Sequence, residues 1–244
     1  MITIVAALAE ELTSIRKLLV VEEQLSQGPL QFHRGQIGKR AVLLVQTGVG
    51  ATAMQRAMTA CWSHFTPSEI IHIGMAGGAD PGLGVGDLVV ANAVIDAISD
   101  ASNVPSPELR RRAIELCHQH HLRVQEGGVV TSTTVVTDPH EKAFLGTKYG
   151  VHAIDMESFA LAHACEEQRI PYLVLRSIFD PIDTPFPCLA DVLDEGGSVD
   201  MPTLIAHLAR HPRDVMALPR LAYAATKTRE SLTRFVKAWM LNAA

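Results

Sequence analysis

Apolar residues fall along this chain in short, nearly unbroken runs, separated by stretches with helical spacing. Met1 to Ala7, Glu69 to Ile73 and Tyr172 to Asp180 are such runs, and each predicts a strand covered on both faces. Gln31 to Gln36 and Lys39 to Thr47 read as two strands joined at Gly38. Further strands are expected at Asp87 to Ala93, Val94 to Ile98, Leu122 to Glu126, Gly128 to Ser132 and Val151 to Ile154. Between them lie helices. Glu10 to Val20 carries Leu12, Ile15, Leu18 and Leu19 at helical intervals. Ala51 to His64, Ser106 to His120, the stretch opened by Asp138-Pro139 and ending at Tyr149, and Phe159 to Arg169 complete the set. Strands that alternate with helices predict an α/β fold: a single domain with a mixed, mostly parallel, twisted and partly closed sheet flanked by helices.

After Asp180 the pattern changes. Pro181, Pro185, Pro187, Gly196 and Gly197 break up a loop. Pro202 to Arg210 and Pro212 to Ala224 predict two helices, with a third running on to Trp239. The chain is therefore read as a core over 1–180, with a loop and helical extension over 181–244 packed on the same domain. Composition narrows the class: 48% apolar and 19% charged residues describe a globular chain. A net charge of -5 argues against general nucleic-acid binding. No apolar run is long enough to span a membrane, and the opening strand lacks a basic leader, so a cytoplasmic protein is expected. Cys61, Cys117, Cys165 and Cys188 are too scattered for a zinc site or a disulfide framework and read as reduced thiols.

The chemistry centres on Ala153-Ile154-Asp155-Met156-Glu157-Ser158 and on the strand Tyr172 to Asp180. Both stretches place carboxylates where an apolar pattern predicts none. Glu157 stands at a helix start, where an acid also suits the helix dipole. Asp180 stands just past the carboxyl end of an apolar strand, where open α/β sheets bind ligands, although a turn residue before Pro181 is the plainer reading. The turn Thr47-Gly48-Val49-Gly50 leads from a strand into a helix and could offer backbone N–H groups to an anion, although an ordinary glycine turn is the better reading. Gly74-Met75-Ala76-Gly77-Gly78 reads as a small-residue loop that lets a ligand approach the main chain.

These stretches, with Val85-Gly86-Asp87-Leu88-Val89-Val90 and the amino-terminal Ile4-Val5-Ala6-Ala7-Leu8-Ala9-Glu10-Glu11, resemble the nucleoside phosphorylase and nucleosidase family in the family's order. Members cleave the N-glycosidic bond of purine nucleosides. The carboxy-terminal part looks more like the hopanoid-associated phosphorylases, which are thought to release adenine from adenosylhopane. The resemblance implies roles residue by residue. Asp180 matches the acid that bonds the base near N7, and Glu11 matches the acid that activates water. Glu157 matches the acid that holds the ribose hydroxyls, and Met156 the residue packed on the sugar. Arg176 is the matched arginine beside the site, with partnership to Glu157 or to a helix terminus as the plainer reading. Met75, Ala76 and Gly77 line the site from the glycine-rich segment. Val136 and Thr137 stand where the family places an aromatic residue and the backbone after it against the base.

Two departures bear on the nucleophile. The family's phosphate-holding serine is Met75 here, and His72 stands where hexameric phosphorylases carry an arginine. Both favour hydrolysis over phosphorolysis, and no cofactor or metal is implied. The extension from Pro181 to Ala224 could frame an open apolar groove for a bulky 5′ group on the ribose. From His207 onward, Arg210, Arg213, Arg220, Lys227, Arg229, Arg234 and Lys237 outweigh Asp214 and Glu230. That tail reads either as a solvated helical face or as a peripheral contact with anionic lipid at the inner membrane. The expected partners are a nucleoside, itself lipid-linked or free, and a second copy of the chain in a dimer. His207 and His211 share a helical face, but no third metal ligand accompanies them. The alternatives are a nucleosidase or phosphorylase for a soluble nucleoside (methylthioadenosine, S-adenosylhomocysteine or futalosine) and a catalytically silent module that binds a nucleoside or lipid.

Overall fold

Successive residues of the central strands face two different cores. The computed structural model, which describes residues 1–184, 210 and 216–241, forms one ten-stranded mixed sheet. In β1 (Ile2–Ala6), Val5 joins one core while Ile4 and Ala6 join the other. That is the two-residue period of a strand buried on both faces. The first core lies beneath α2 (Ala51–His64) and α5 (Ser158–Gln168), through Met54, Met58, Cys61, Leu161 and Cys165. The second lies beneath α1 (Ala9–Arg16), α3 (Pro107–Gln119) and the last helix, α6 (Leu218–Leu241).

The sheet is partly closed, as expected. β5 (Glu69–Gly78) pairs with β9 (Val151–Asp155), β9 with β8 (Val124–Thr131), β8 with β6 (Leu88–Asp96) and β6 with β10 (Tyr172–Asp180). β10 then returns to lie parallel to β5, which closes the ring. From β5 an open arm runs outward through β1, β4 (Arg40–Gln46), β3 (Leu30–Ile37) and β2 (Val20–Gln27). α4 (Pro139–Tyr149) covers the ring near β9. Its start is capped by Asp138, whose carboxylate accepts from the His140 and Glu141 backbone N–H groups, and it ends on left-handed Gly150.

Several elements differ from the pattern read in the sequence. The first helix stops at Arg16, not Val20, and Val20 instead opens β2 against Gln36. Leu18 and Leu19 fit a helical interval, while the polar, largely exposed β2 offers no alternation to detect. The two strands expected over 87–98 are one, β6, and the two expected over 122–132 are one, β8. Gly127 lies inside β8 because β9 passes so close that a Cβ there would meet His152 Nδ1 at 2.1 Å. A short β7 (Ser102–Asn103), unforeseen, pairs with β6. The stretch from Gly74 to Gly78 is no loop: β5 continues through it, parallel to β10.

The carboxy-terminal helix is continuous from Leu218 to Leu241, so the end of the second predicted helix and all of the third belong to one element. Leu232, Phe235, Val236, Trp239 and Met240 are buried in the second core, and the Arg112 guanidinium lies 4.0 Å above the Trp239 ring. The apolar side of this helix thus packs on the sheet, leaving Arg220, Lys227, Arg234 and Lys237 outward. The groove expected along 181–224, the helix at Pro202 to Arg210, the pair His207 and His211, and Cys188 lie outside the described residues, save for positions 181–184, 210 and 216–224.

Candidate functional site

Four acids from three stretches of the chain, Glu11, Asp155 with Glu157, and Asp180, meet where β5, β9 and β10 end, and each is buried. Glu11 enters from the first turn of α1 and is 2% exposed. Its Oε2 accepts from the Leu8 backbone N–H at 2.9 Å, closing the helix start, while its Oε1 accepts from the Met75 N–H at 2.7 Å. One carboxylate therefore ties α1 to the glycine-rich part of β5. Burial pushes the Glu11 carboxyl above its ordinary range, against the opposing pull of those N–H groups and of Arg176.

Glu157 closes the turn between β9 and α5, at the N-cap position of that helix. Its Oε1 accepts from the Gly50 N–H at 2.7 Å. The N–H at the end of the Thr47–Gly50 turn is thus taken by the protein's own Glu157 side chain. Gly48 and Gly50 have φ of 83° and 91°, a backbone that favours glycine. Burial and the nearby Asp155 push the Glu157 carboxyl up to about 7.

Arg176 corrects one expectation. Its partner is Asp155, not Glu157: the guanidinium meets Asp155 Oδ2 through Nη2 at 2.6 Å and Nε at 2.7 Å. Nη2 also donates to Ser158 Oγ at 2.8 Å and lies 3.0 Å from both ring nitrogens of His72. Asp155 in turn accepts from Thr131 Oγ1 at 2.8 Å and from the Ser158 hydroxyl. Burial, then the Arg176 charge, holds His72 well below its usual pKa, so the ring is neutral. A Cβ on Gly74 would come within 2.3 Å of Arg176 Nη1, so the glycine there makes room for the guanidinium.

Asp180 ends β10 opposite Gly77 of β5. It is 8% exposed, and its Oδ1 lies where a Cβ on Gly77 would touch it at 3.4 Å. Lys142, from the first turn of α4 and fully buried, donates to Asp180 Oδ2 at 2.5 Å. Burial raises the Asp180 carboxyl and the Lys142 ammonium opposes the rise. The Glu11 and Asp180 contacts on β5 are two residues apart, about 7 Å along a strand. Met75 and Gly77 share one face of that strand and are partly exposed, whereas the Ala76 side chain points into the first core. Met156 is half-buried next to Glu157.

Val136 and Thr137 separate. The Val136 side chain packs with Ala79, Val130, Val151 and Ile154 in a small core cluster, and Thr137 is half-buried immediately before the cap of α4. Reading the sequence missed three members of this assembly. Asp155 closes an apolar strand, a signal that was present. Ser158 and Lys142 carried none, because each sits in an ordinary helical first turn. Among the described residues no group of acids, histidines or cysteines could hold a metal ion.

Comparison with known proteins agrees with this architecture. The model of the Phosphorylase superfamily matches residues 1–196. The 5'-methylthioadenosine/S-adenosylhomocysteine nucleosidase of Anoxybacillus flavithermus is 26% identical over 196 residues, 73% of this chain and 84% of that protein. Among solved structures, the futalosine hydrolase of Helicobacter pylori superposes with a TM-score of 0.76 at 21% identity, covering 97% of this chain and 95% of that one. The 5'-methylthioadenosine/S-adenosylhomocysteine nucleosidase of Neisseria meningitidis, in complex with methylthio-immucillin-A, superposes with a TM-score of 0.75 at 19% identity, covering 97% and 98%.

Proposed function

The chain belongs to the Phosphorylase superfamily, and from that premise we propose that it cleaves the N-glycosidic bond of an adenine nucleoside by hydrolysis. The observation that carries this reading is the convergence of Glu11, Glu157 and Asp180, three buried acids with raised pKa, around the exposed face of β5. Burying three carboxyls is costly, and a fold with no use for them would not need it.

The roles divide by position. Asp180, with Oδ1 toward the site over Gly77, gives a proton to N7 of the departing purine. Glu157 accepts from the ribose hydroxyls, and Met156 packs on the sugar. Glu11 takes the proton of the attacking water. The water oxygen bonds to the anomeric carbon as the carbon–N9 bond breaks, and that electron pair passes into the protonated purine. Afterwards Glu11 holds the extra proton and Asp180 lacks one, and solvent exchange resets both.

Water is favoured over phosphate because, among the described residues at the site, the cations are already engaged. Arg176 is engaged by Asp155, Lys142 by Asp180, and His72 is neutral. Met75 supplies no hydroxyl. The substrate in this reading is adenosylhopane, on the carboxy-terminal resemblance, with the outward basic face of α6 available to anionic lipid. Relatives that act on soluble thioether nucleosides supply the second reading, in which the 5′ group is small.

The test is adenine release from adenosylhopane, methylthioadenosine, S-adenosylhomocysteine and adenosine, each with and without phosphate. Release from adenosylhopane alone, unchanged by phosphate, is the expected result. Release only from the small thioethers would replace the hopanoid reading with the second one. A phosphate requirement would overturn hydrolysis. If no base is released and Asp180→Asn leaves ligand affinity intact, the protein is a binding module.

A further inference from the structure

The proposed acid does not stand alone. All the donors of Lys142 point at the junction between β10 and the chain that follows: Nζ donates to Asp180 Oδ2 at 2.5 Å, to the Asp180 carbonyl at 3.2 Å and to the Pro181 carbonyl at 3.4 Å. The lysine has no exposed surface. Lysine is almost never fully buried without a partner, and burying its charge is costly unless an opposite charge meets it. Three acceptors fix the ammonium in place, and the ammonium in turn fixes the Asp180 carboxyl through Oδ2. With Oδ2 occupied, the oxygen left to face a ligand is Oδ1, above Gly77.

We propose that Lys142 is the positioning residue of the acid at Asp180: it takes up Oδ2, leaves Oδ1 as the atom that delivers the proton, and stabilises the carboxylate left behind. This rests on the proposed cleavage of a purine nucleoside. In the step itself the Asp180 Oδ1–H bond breaks, the purine N7–H bond forms, and the carbon–N9 electron pair enters the ring. Asp180 becomes an anion at that moment, and a fixed ammonium beside it favours the anion without rearrangement. The same contact has a cost, since it makes Asp180 release its proton at lower pH than burial alone would dictate. Lys142 therefore trades a smaller protonated fraction at neutral pH for a stronger acid.

The surroundings let Lys142 carry this role by itself. It is the one charged side chain acting on Asp180 among the described residues of α4, β5 and β10. Arg176, four residues back on β10, is turned to Asp155, and Glu11 reaches β5 at Met75 rather than Gly77. Lys142 also ties α4 to Asp180, and α4 follows directly on Val136 and Thr137. The segment expected beside the base and the acid expected at N7 are thus braced by one side chain.

The test uses Lys142→Met and Lys142→Arg in the full chain, each checked for folding by circular dichroism and thermal unfolding. Two substrates are compared: the best purine nucleoside of the panel, and 4-nitrophenyl riboside, whose leaving group needs no proton. With Lys142→Met, kcat/KM on the purine nucleoside should fall about tenfold to a hundredfold. The alkaline limb of its pH profile should move to higher pH. Cleavage of the nitrophenyl riboside should stay within about threefold of wild type, and Lys142→Arg should retain the wild-type limb. Equal losses on both substrates, or an unmoved limb in a folded Lys142→Met, would overturn the positioning role and leave Lys142 a structural brace. If Lys142→Met does not fold, the same two substrates and the limb are read in Lys142→Gln, which keeps hydrogen-bond donors for the three acceptors and removes the charge. A purine-selective loss in Lys142→Gln with the limb moved to higher pH supports the role, and equal losses on both substrates or an unmoved limb in Lys142→Gln overturn it. Wild type inactive on every nucleoside would refute the cleavage reading itself, which is a different outcome from either of these.

Discussion

Asp155 and Arg176 form an ion pair at 2.6 Å in which the two side chains are 1% and 2% exposed. The pair joins the end of β9 to β10, strands that are not neighbours in the ring, and it sits between Glu11, Glu157 and His72. Removing one partner strands the other charge out of water. Arg176→Met should therefore lower unfolding stability by about 3–5 kcal/mol in urea titrations. The double variant Arg176→Met with Asp155→Asn should lose less than the sum of the single losses, because no bare carboxylate remains. Additive losses would show that the two groups do not depend on each other.

Glu157 should make stability fall as pH rises. Its carboxyl is pushed from an ordinary 4.5 up to about 7, by burial first and then by Asp155. Between those values the folded chain keeps a proton that the unfolded chain has released. The associated stability is fully present below about 4.5 and is lost as pH climbs through about 7. Glu157→Gln cannot titrate. Its stability relative to wild type should rise between pH 5 and pH 8, read as the gap between urea midpoints at the two values. A constant gap would mean that Glu157 is already ionised at pH 5.

Glu11 should matter to turnover far more than to binding. Its two oxygens are held by the Leu8 and Met75 N–H groups; Glu11→Gln keeps the size and removes the base, while its amide NH2 loses one of the two accepted hydrogen bonds. Base release should drop about 10²–10⁴-fold. Adenine affinity by calorimetry should change by no more than about threefold. A large loss of adenine affinity with turnover intact would remove Glu11 from the chemistry.

The last helix should behave as core. Trp239 is fully buried, 5.6 Å from the Phe235 ring and beneath Arg112. Trp239→Ala should cost about 3–5 kcal/mol, as large-to-small changes in packed interiors do. Lysine-to-alanine changes at the outward Lys227 and Lys237 should cost less than about 0.5 kcal/mol. Those same two changes should weaken any binding to vesicles containing anionic lipid, measured by co-sedimentation.

The sequence by itself determined the α/β class, the strand runs at Ile2–Ala6 and Tyr172–Asp180, and the helices from Ala51 and Pro139. Each of these depends on periodicity and on local capping, which neighbours in sequence decide. It also picked out Glu157 and Asp180, since an acid that closes an apolar run stands out against that run, while the resemblance supplied Glu11 and the roles of all three. Only the tertiary structure decided what each acid meets. That Glu11 reaches the backbone of Met75, 64 residues away, and Glu157 that of Gly50, 107 residues away, depends on which strands lie side by side. The same pairing carried β5 through a glycine-rich stretch that reads locally as a loop, because a glycine opposite Arg176 gives the guanidinium room. It also gave Arg176 to Asp155 and brought Lys142 to Asp180. The energy that places a buried charge comes from a partner across space, and no spacing along the chain encodes that distance.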